Sequence, residues 1–403
     1  MYLTHLSLTN FRSFSRLDID IPKQNLLLVG DNAQGKTSFL EAIFYLAAFS
    51  SFHTDQDRQL ISFIAASDPL SVVRIVADYI NSGIQHRIEV RLIQENSTGF
   101  NNTRFRKEIL IDGVKHTLHE ALGSFLAVLF TPQMMRIIEG SPEDRRKYLN
   151  IMLCQVIPGY SRCQSEYTQA LTQRNALLKQ ISERSTDAKQ LDYWDEILAE
   201  RGARLISARI NAIQEIELIS SRIHRQLTDS QEILRLVYQP AYDPLPQPEK
   251  QLALPISTPI SRLGISIEMI RDGYIQRLQN VRNEDIARGI TSLGPHRDEM
   301  RFIANEVDLG NFGSRGQIRT ALLSVKLAEV NWIEQHTGFK PVLLLDETLA
   351  ELDDHRREDL LAYLGGSEQA FLTTTDLTLF SNEFINRSTV WKVTKGYVHS
   401  ITG

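Results

Sequence analysis

The hydrophobic pattern near the N-terminus predicts two strands, a glycine-containing loop and a helix. Residues 1–10 alternate between apolar and polar positions, which is typical of a strand with one buried face. Residues 25–29 form a short apolar run of the kind that is buried in a parallel sheet. Apolar residues then recur at helical spacing from Lys36 to Leu46. This order of elements is typical of an α/β fold.

Helical spacing dominates from about Ser141. Ser141 is a capping residue, Pro142 occupies the first helical position, and two acidic residues follow, so a helix is predicted to begin here. Apolar residues recur at helical spacing over 160–181 and again over 191–223, with a polar link between the two stretches. We expect an antiparallel helical hairpin, a short arm over about 160–230.

The last part of the chain combines a proline-rich stretch with further helices and strands. Six of the thirteen prolines lie within residues 239–261, which predicts a loop. Helical spacing returns over 265–288 and 320–334, and apolar runs at 341–345 and 369–373 predict two buried strands. We expect these late strands to complete the sheet that begins near the N-terminus.

Composition and charge narrow the class of protein. The 403 residues include 44 Lys and Arg against 49 Asp and Glu, a net charge of −5, and 42% are hydrophobic, as in an ordinary globular protein. With only two cysteines, Cys154 and Cys163, a disulfide framework and a four-cysteine metal site are excluded. No apolar run approaches the ~18 residues of a membrane span and no signal peptide is recognisable, so we expect a cytoplasmic protein without a membrane partner.

Because the net charge is negative, a nucleic-acid partner would have to be bound by local basic patches. Strands are predicted around 72–79 and 86–92, and the interval 81–107 carries five basic residues against two acidic ones. We expect this interval to contact DNA. The alternative is that its charged residues lie on solvent-exposed strand faces and bind no partner. The five basic residues are Arg87, Arg91, Arg104, Arg106 and Lys107.

The segment GDNAQGKT, residues 30–37, has the phosphate-loop pattern of two glycines five positions apart followed by Lys-Thr. In such a loop backbone N–H groups surround the phosphates. Lys36 would reach the β and γ oxygens of a nucleoside triphosphate, and the Thr37 hydroxyl would bind Mg²⁺. The alternative is an ordinary glycine turn. The segment lies between a predicted apolar strand and a predicted helix, which is the position that a phosphate loop requires, so the phosphate loop is favoured. The predicted binding residues are Gly30, Asp31, Asn32, Ala33, Gln34, Gly35, Lys36, Thr37 and Ser38.

An acidic pair follows the apolar run at 342–345. A buried strand here would deliver Asp346 to the Mg²⁺ side of a phosphate loop, and Glu347 would polarise the attacking water. On its own, an apolar run that ends in two acids is more often a strand leading into a solvated turn. The phosphate loop elsewhere in the chain favours the catalytic interpretation.

A third segment indicates the subclass of ATPase. Residues 313–317, GSRGQ, precede a helix about 30 residues before the acidic strand. They resemble the signature motif of ABC-type ATPases, in which serine and glycine groups at a helix N-terminus bind a γ-phosphate. Residues 350–353 resemble the D-loop of that family, and Thr375 lies at its switch position. A Gly-Ser turn before a helix is usually only a cap, so the order of the segments carries the interpretation.

Taken together, these segments resemble the RecF family, which is related to the heads of SMC-type chromosome proteins. The resemblance extends nearly from end to end and includes LSLTNFRSF, the phosphate-loop segment, GSPEDRRKYLN, GPHRDEM, GSRGQIRTALLSVKLAE and LLLDETLAELD. It implies an α/β, ABC/SMC-type P-loop ATPase head with a helical signature-bearing lobe and a short antiparallel helical arm. The ATP-binding lobe would comprise residues 1–130 and 336–403, and the helical lobe residues 131–335.

The resemblance also implies a function. By this likeness the chain would be a slow ATPase that binds ATP and Mg²⁺ and forms a homodimer on ATP binding. It would bind single-stranded DNA and gapped duplex DNA. Acting with RecO and RecR, it would promote the loading of RecA in DNA repair, replication restart and the SOS response.

Matching positions carry the family's residue roles onto this sequence. Among the nucleotide contacts, Ser314 and its neighbours would bind the ATP that is held by the opposite protomer. The resemblance assigns catalysis to Lys36, Gln133 and the base Glu347, metal binding to Thr37, Asp346 and Gln133, and nucleotide contacts outside the phosphate loop to Arg12, Ser314, Gly316 and Gln317.

Three positions depart from the family pattern. His53 stands where RecF proteins usually have Arg, Glu347 where the second acid is usually Asp, and Thr375 where transporters have His. The nearest alternative function is another SMC-type ATPase head, and a more distant one is an ABC transporter ATPase subunit, which needs a membrane partner. A nuclease of the ABC-like type would need a further carboxylate cluster, and a scaffold with a decayed site would not retain the intact motifs.

Overall fold

The chain forms two units, and both ends of the sequence contribute to the first of them. The first unit comprises Met1–Met134 and Glu329–Gly403, and the second comprises Met135–Ala328. Most of the predicted proline-rich loop lies outside the described residues. The structure, a computed structural model, describes residues 1–54, 56–62, 70–96, 103–184, 187–245 and 261–401.

Strands and helices are distributed over both units. The strands are β1 (Tyr2–Phe11), β2 (Phe14–Asp20), β3 (Leu26–Val29), β4 (Leu70–Asn81), β5 (Ile84–Asn96), β6 (Thr103–Ile111), β7 (Val114–His116), β8 (Ala127–Phe130), β9 (Leu234–Gln239), β10 (Glu299–Ala304), β11 (Val307–Asp308), β12 (Val342–Asp346), β13 (Ala370–Thr374), β14 (Thr389–Thr394) and β15 (Tyr397–Ser400). The helices are α1 (Lys36–Ala48), α2 (Leu118–Ala121), α3 (Arg136–Glu139), α4 (Pro142–Val156), α5 (Tyr160–Arg184), α6 (Leu191–Leu227), α7 (Ile267–Asn280), α8 (Arg282–Arg288), α9 (Leu309–Phe312), α10 (Arg315–Thr337), α11 (Asp354–Gly365) and α12 (Asn382–Asn386).

A mostly parallel sheet of the first unit carries the phosphate loop. Its strand order is β15-β14-β3-β13-β12-β8, and among its strand pairs only β14 and β15 run antiparallel. Every residue of β12 and β13 is buried, which explains why their sequences are apolar runs rather than alternating patterns. Because β3, β12 and β13 are parallel, the residues that follow them meet at one edge of the sheet.

An antiparallel sheet in the order β2-β1-β4-β5-β6-β7 completes the strands of the first unit. The predicted strands at 72–79 and 86–92 are its central pair, β4 and β5. In β1, Leu3, Leu6 and Leu8 are fully buried, while residues between them are partly accessible. This alternation matches a sheet that presents one face to a core.

Helices α5 and α6 of the second unit form the predicted helical hairpin. The Cys163 thiol donates a hydrogen bond to the Arg201 carbonyl oxygen at 3.3 Å, and the Arg201 guanidinium pairs with Glu166 at 2.8 Å. The apolar spacing that predicts the two helices also supplies their shared core. Its buried members beside the connecting link are Leu177, Leu178, Ile181 and Leu191.

The second unit contains a small sheet in addition to the predicted helices. Strands β9, β10 and β11 form an antiparallel sheet in the order β11-β10-β9. The proline-rich stretch and helices α7 and α8 separate β9 from β10 in sequence, so no nearby partner strand reveals β9. The other partner of β10 is the two-residue strand β11, which is too short to show a strand pattern. The single helix predicted over 265–288 is divided at Val281 into α7 and α8. Among the helices of the described residues, none has both the length and the apolar character of a membrane span.

Candidate functional site

The loop between β3 and α1 depends on two glycines. A Cβ atom on Gly30 would lie 2.4 Å from the carbonyl oxygen of Val393, so no larger residue fits beside strand β14. Gly35 has a φ of +112°, and a Cβ there would also meet the Ser13 hydroxyl at 2.8 Å. These constraints make the loop turn tightly before α1, as a phosphate-binding loop requires.

The Lys36 side chain is buried at the start of α1, with 4% exposure. Its ammonium donates to the carbonyl oxygens of Gly30 at 2.6 Å and Asp31 at 3.1 Å, and pairs with a Glu347 carboxylate oxygen at 3.2 Å. The loop's own backbone therefore fixes the position of the cation. A phosphate oxygen in the loop would find this charge already in place.

Asp346, the last residue of β12, accepts hydrogen bonds from two threonine hydroxyls. The Thr37 hydroxyl lies 3.0 Å from each carboxylate oxygen, and the Thr373 hydroxyl lies 2.7 Å from one of them. Burial raises the pKa of Asp346 above its ordinary value, and these two hydrogen bonds oppose that effect. The repulsion from the Glu347 carboxylate raises the pKa of Asp346 further.

Glu347 has a left-handed backbone conformation, with a φ of 47°. This conformation is strained for a residue other than glycine, and such strain is concentrated at functional sites. The Glu347 N–H donates to the Thr373 hydroxyl at 2.9 Å, which helps to hold the conformation. The carboxylate is 40% exposed and pairs with Lys36.

These groups surround a cleft of about 310 Å³, a size within the range of small-molecule sites. Gln133 reaches the same cleft from the segment after β8. Ser13, Pro132 and His53 also line it, and of these the sequence pattern singled out only His53. The complete lining is Ser13, Asp31, Asn32, Ala33, Gln34, Gly35, Lys36, Thr37, Ser38, His53, Pro132, Gln133, Asp346 and Glu347.

Arg12 does not line this cleft, although the resemblance places it near the phosphates. Its guanidinium forms two hydrogen bonds with Glu41, at 2.7 and 2.8 Å, and one with the Gln59 carbonyl oxygen at 3.0 Å. Glu41 is 1% exposed and also accepts a hydrogen bond from the Ser51 hydroxyl. A carboxylate buried to this extent needs a counter-ion, and Arg12 supplies it.

The signature-like residues belong to the second unit, at the start of α10. The Ser314 hydroxyl accepts from the Gln317 N–H at 3.3 Å, and the Gln317 side-chain oxygen accepts from the Ser314 N–H at 3.1 Å. This reciprocal pair is a capping box. Gln317 also donates to Glu232 at 2.8 Å, whereas Ser314 and Gly316 are exposed.

The basic residues predicted to contact DNA are largely engaged by carboxylates. Because such pairs neutralise local charge, strands β5 and β6 attract phosphate less than the count of basic residues indicates. The side chain of Arg104 lies outside the described residues. The described pairs are Arg87 with Asp78 at 2.6 Å, Arg91 with Glu89 at 2.6 Å, Arg106 with Glu108 at 3.7 Å and Lys107 with Asp57 at 2.7 Å.

Thr373 is the residue of this site whose role the sequence pattern misses. It lies in the Thr-Thr-Thr-Asp run whose third residue, Thr375, is expected at the switch position, and the apolar stretch before the run marks a strand. The available signal is its place near the end of β13, since neighbouring parallel strands end at the same edge of a sheet. In the described ranges, this site included, no group of three or more His, Cys, Asp or Glu residues could hold a metal ion.

The chain is similar to known proteins over nearly its whole length. The family model described as RecF/RecN/SMC N terminal domain matches residues 2–397. A protein of Exiguobacterium sp. named "DNA replication and repair protein RecF" is 34% identical over 400 residues, which cover 99% of each chain. One of the same name from Chloroflexus aggregans is 35% identical over 407 residues, covering 98% of this chain and 99% of the relative.

Two solved structures are informative at different levels. "Structure of the recombination mediator protein RecF-ATP in RecFOR pathway" superposes with a TM-score of 0.83 and 30% identity, covering 100% of this chain and 98% of the other. "Crystal structure of the SmcHead bound to the C-winged helix domain of ScpA" superposes with a TM-score of 0.50 at 15% identity, covering 100% and 97%. The second likeness concerns the fold alone.

Proposed function

The chain belongs to the RecF family and has the fold of an ABC/SMC-type ATPase head, and on this premise we propose that it is an ATP-dependent recombination mediator acting on DNA. One observation carries the proposal. Lys36, Thr37, Asp346 and Glu347 converge on a single cleft in a chain whose whole length is 30% identical to a RecF described with ATP. Each of the four has the side chain that triphosphate binding and hydrolysis require.

The residues of the cleft fit a magnesium–triphosphate ligand. Thr37 and Asp346 present oxygen ligands on adjacent side chains, which Mg²⁺ prefers, and Gln133 adds a further amide at the cleft. When bound, Mg²⁺ would draw charge from the phosphate oxygens. Lys36 would hold phosphate oxygens together with the N–H groups of the loop that ends in Gly35.

Glu347 is our candidate for the general base. Its carboxylate lines the cleft and is partly exposed, so it can meet a water molecule there. It would accept a proton as that water attacks the γ-phosphorus and the bond to the leaving diphosphate breaks.

We further propose that ATP completes a homodimer. Ser314, Gly316 and Gln317 lie at the N-terminus of a 23-residue helix, where phosphate binding is favoured by about 0.3–1 kcal/mol through the helix dipole. The exposed Ser314 and Gly316 would contact the triphosphate held by a second copy of the chain. ATP binding would then favour the dimer, and hydrolysis would release it.

Sedimentation velocity with ATP tests this dimer. We expect the wild-type protein to dimerise with ATP and Ser314→Arg to remain monomeric while it still binds ATP. Ser266→Arg is the matched control, because Ser266 is likewise an exposed serine that caps a helix in the second unit. A wild-type protein that stays monomeric at saturating ATP would refute the dimer.

The proposed DNA function includes binding to single-stranded and gapped duplex DNA and action with RecO and RecR to load RecA. It places the protein in the cytoplasm, in repair, replication restart and the SOS response. The family membership and the RecFOR description of the relative support this proposal. A protein that instead fails to bind DNA and associates with membranes would be better explained as a transporter ATPase.

Binding to gapped and blunt duplexes, with and without ATP, tests the DNA function directly. We expect tighter binding to the gapped duplex with ATP. Arg104→Glu combined with Arg106→Glu should weaken binding and flatten its salt dependence if β6 meets phosphates. Arg387→Glu is the control, since Arg387 is a highly exposed arginine paired with Glu383 four residues away. An unchanged salt slope in the β6 variant would remove this strand from the interface.

A further inference from the structure

The Thr373 hydroxyl joins the two acidic residues of the site. It donates to an Asp346 carboxylate oxygen at 2.7 Å and accepts from the Glu347 N–H at 2.9 Å. A hydroxyl has one proton and two lone pairs, so it makes both hydrogen bonds at once. Thr373 is 4% exposed, and the cleft lining does not include it.

The sheet fixes this contact. Strands β12 and β13 are parallel neighbours, and Asp346 is directly paired with Thr373 in their register. The next residue, Thr374, is equally buried, but its hydroxyl bonds to the backbone of Asp376. Adjacent threonines of one strand therefore have separate partners, as expected when successive side chains point to opposite faces.

Glu347 needs an external restraint because of its left-handed backbone. Its φ of 47° is sparsely populated by residues with a Cβ, so neighbouring contacts have to hold it. Its N–H is bonded to Thr373. Loss of this bond would free the peptide to turn and would move the Glu347 carboxylate away from Lys36.

We propose that Thr373 is a positioning residue for ATP hydrolysis, one whose single hydroxyl sets the Asp346 carboxylate toward Thr37 and holds the Glu347 backbone. The inference rests on the proposed ATPase function. It differs from the expectation drawn from the sequence, which pointed to Thr375 two residues later. Thr375 is exposed, whereas Thr373 contacts both acids.

Steady-state ATP hydrolysis by Thr373→Val, Thr373→Ser and Thr374→Val tests the proposal. Valine has nearly the shape of threonine but no hydroxyl. We expect Thr373→Val to lower kcat by about 10- to 100-fold through misplacement of the acids, with KM for ATP changed by less than about threefold. Thr373→Ser keeps the hydroxyl and should retain kcat within about threefold of wild type. Thr374→Val should behave as wild type.

Hydrogen exchange provides a readout that does not depend on activity. The Glu347 N–H donates a hydrogen bond to the Thr373 hydroxyl. Exchange of the Glu347 amide hydrogen should therefore be at least about tenfold faster in Thr373→Val than in the wild-type protein. In Thr374→Val and Thr373→Ser it should be unchanged. A merely structural loss would accelerate exchange along the whole of β13 rather than at Glu347.

The outcomes separate the two proposals. A wild-type protein without ATP hydrolysis would refute the ATPase function, while the exchange of the Glu347 amide would still decide whether Thr373 holds the Glu347 backbone. An active wild type together with a fully active Thr373→Val would overturn the positioning role alone. If Thr373→Val does not fold, Thr373→Ser decides, because a tenfold loss of kcat with the hydroxyl retained would also overturn it.

Discussion

Each unit contains a cluster of charged side chains. The cluster of the second unit is buried and pairs its charges inside the protein, whereas that of the first unit is open to a cleft. In the second unit, the fully buried Arg174 donates to Asp195 at 2.7 Å, to Asp285 at 2.8 Å and to Thr291 at 2.9 Å. We call these four residues the Arg174 network. Both carboxylates have further donors, and the network links α5, α6 and α8. Arg282, which also pairs with Asp195, supplies the second cation against the two acids, and of the Arg174 guanidinium only Nη2 has no hydrogen-bond partner among the described residues.

In the cleft of the first unit, the charged groups have protein partners but also remain accessible to a ligand. Lys36 is fixed mainly by two backbone carbonyl oxygens, and Glu347 remains 40% exposed on a strained backbone. Removal of one member of a buried ion-pair cluster destabilises the fold because it leaves its partner charges unpaired, whereas a charge that is open to the cleft can act on a ligand. The comparison predicts that removing the central cation lowers the free energy of unfolding in the Arg174 network and lowers ligand affinity in the cleft.

The largest effect is expected for Arg174→Leu. It leaves Asp195 and Asp285 buried without their shared partner, so the free energy of unfolding should fall by about 3–5 kcal/mol. Urea denaturation measures this change. Arg162→Leu is the control on the same helix, since Arg162 is 74% exposed and pairs with Glu166, and it should cost less than about 0.5 kcal/mol. Equal losses in the two variants would contradict the structural role of the network.

A smaller effect, of another kind, is expected for Lys36→Met. The free energy of unfolding should stay within about 1 kcal/mol of wild type, because the partners left behind are solvent-accessible or backbone groups. ATP affinity should fall by about 1.5–3 kcal/mol, the worth of hydrogen bonds to a charged group. Titration with a fluorescent ATP analogue measures the affinity. Lys340→Met, which also removes an ammonium bonded to a carbonyl oxygen, should leave affinity unchanged.

The smallest effect is expected for Asp346→Asn, and it depends on pH. The pKa of Asp346 is raised in the folded protein, so its ionisation costs stability as the pH rises through the folded pKa, and this cost is absent below 3.8. The asparagine variant should therefore be more stable than wild type at pH 8, with a gap that narrows as the pH falls through the folded pKa toward 3.8. Thermal unfolding across this range measures the gap.

Asp353→Asn provides a control of opposite sign. Hydrogen bonds from Arg356 lower the pKa of Asp353, so its ionised form stabilises the protein, and this contribution is lost as the pH falls through the folded pKa. Its asparagine variant should be less stable than wild type at pH 8. A gap that does not change with pH in either variant would trace the effect to packing instead of ionisation.

Sequence patterns predicted the parts of the cleft that are short and contiguous. Strand β3, the loop ending in Gly35 and helix α1 are adjacent in sequence, and each has a local signature that does not depend on the rest of the chain. The acidic pair after β12 was recognisable for the same reason. The acidic pair was expected to lie near the phosphate loop because the carboxyl ends of parallel strands meet at one edge of a sheet.

The groups that the sequence did not reveal depend on distant partners. Arg174 lies at helical spacing between Leu171 and Leu178, so a charged residue on an apolar face was visible, but its acids Asp195 and Asp285 lie on other helices. Thr373 gains its role only from its register with β12. Arg12 was assigned to phosphates by resemblance, and its pairing with Glu41 depends on a fold-level contact that no spacing rule predicts.

The split of the first unit across both ends of the chain has a consequence during synthesis on the ribosome. Leu26 of β3 pairs with Phe371 and with Thr389, its neighbours on either side. At about 5–20 residues per second, roughly 20–70 s pass between the translation of β3 and that of these partners. Until then both edges of the nascent β3 strand lack their partners, and unpaired strand edges of this kind favour aggregation during folding.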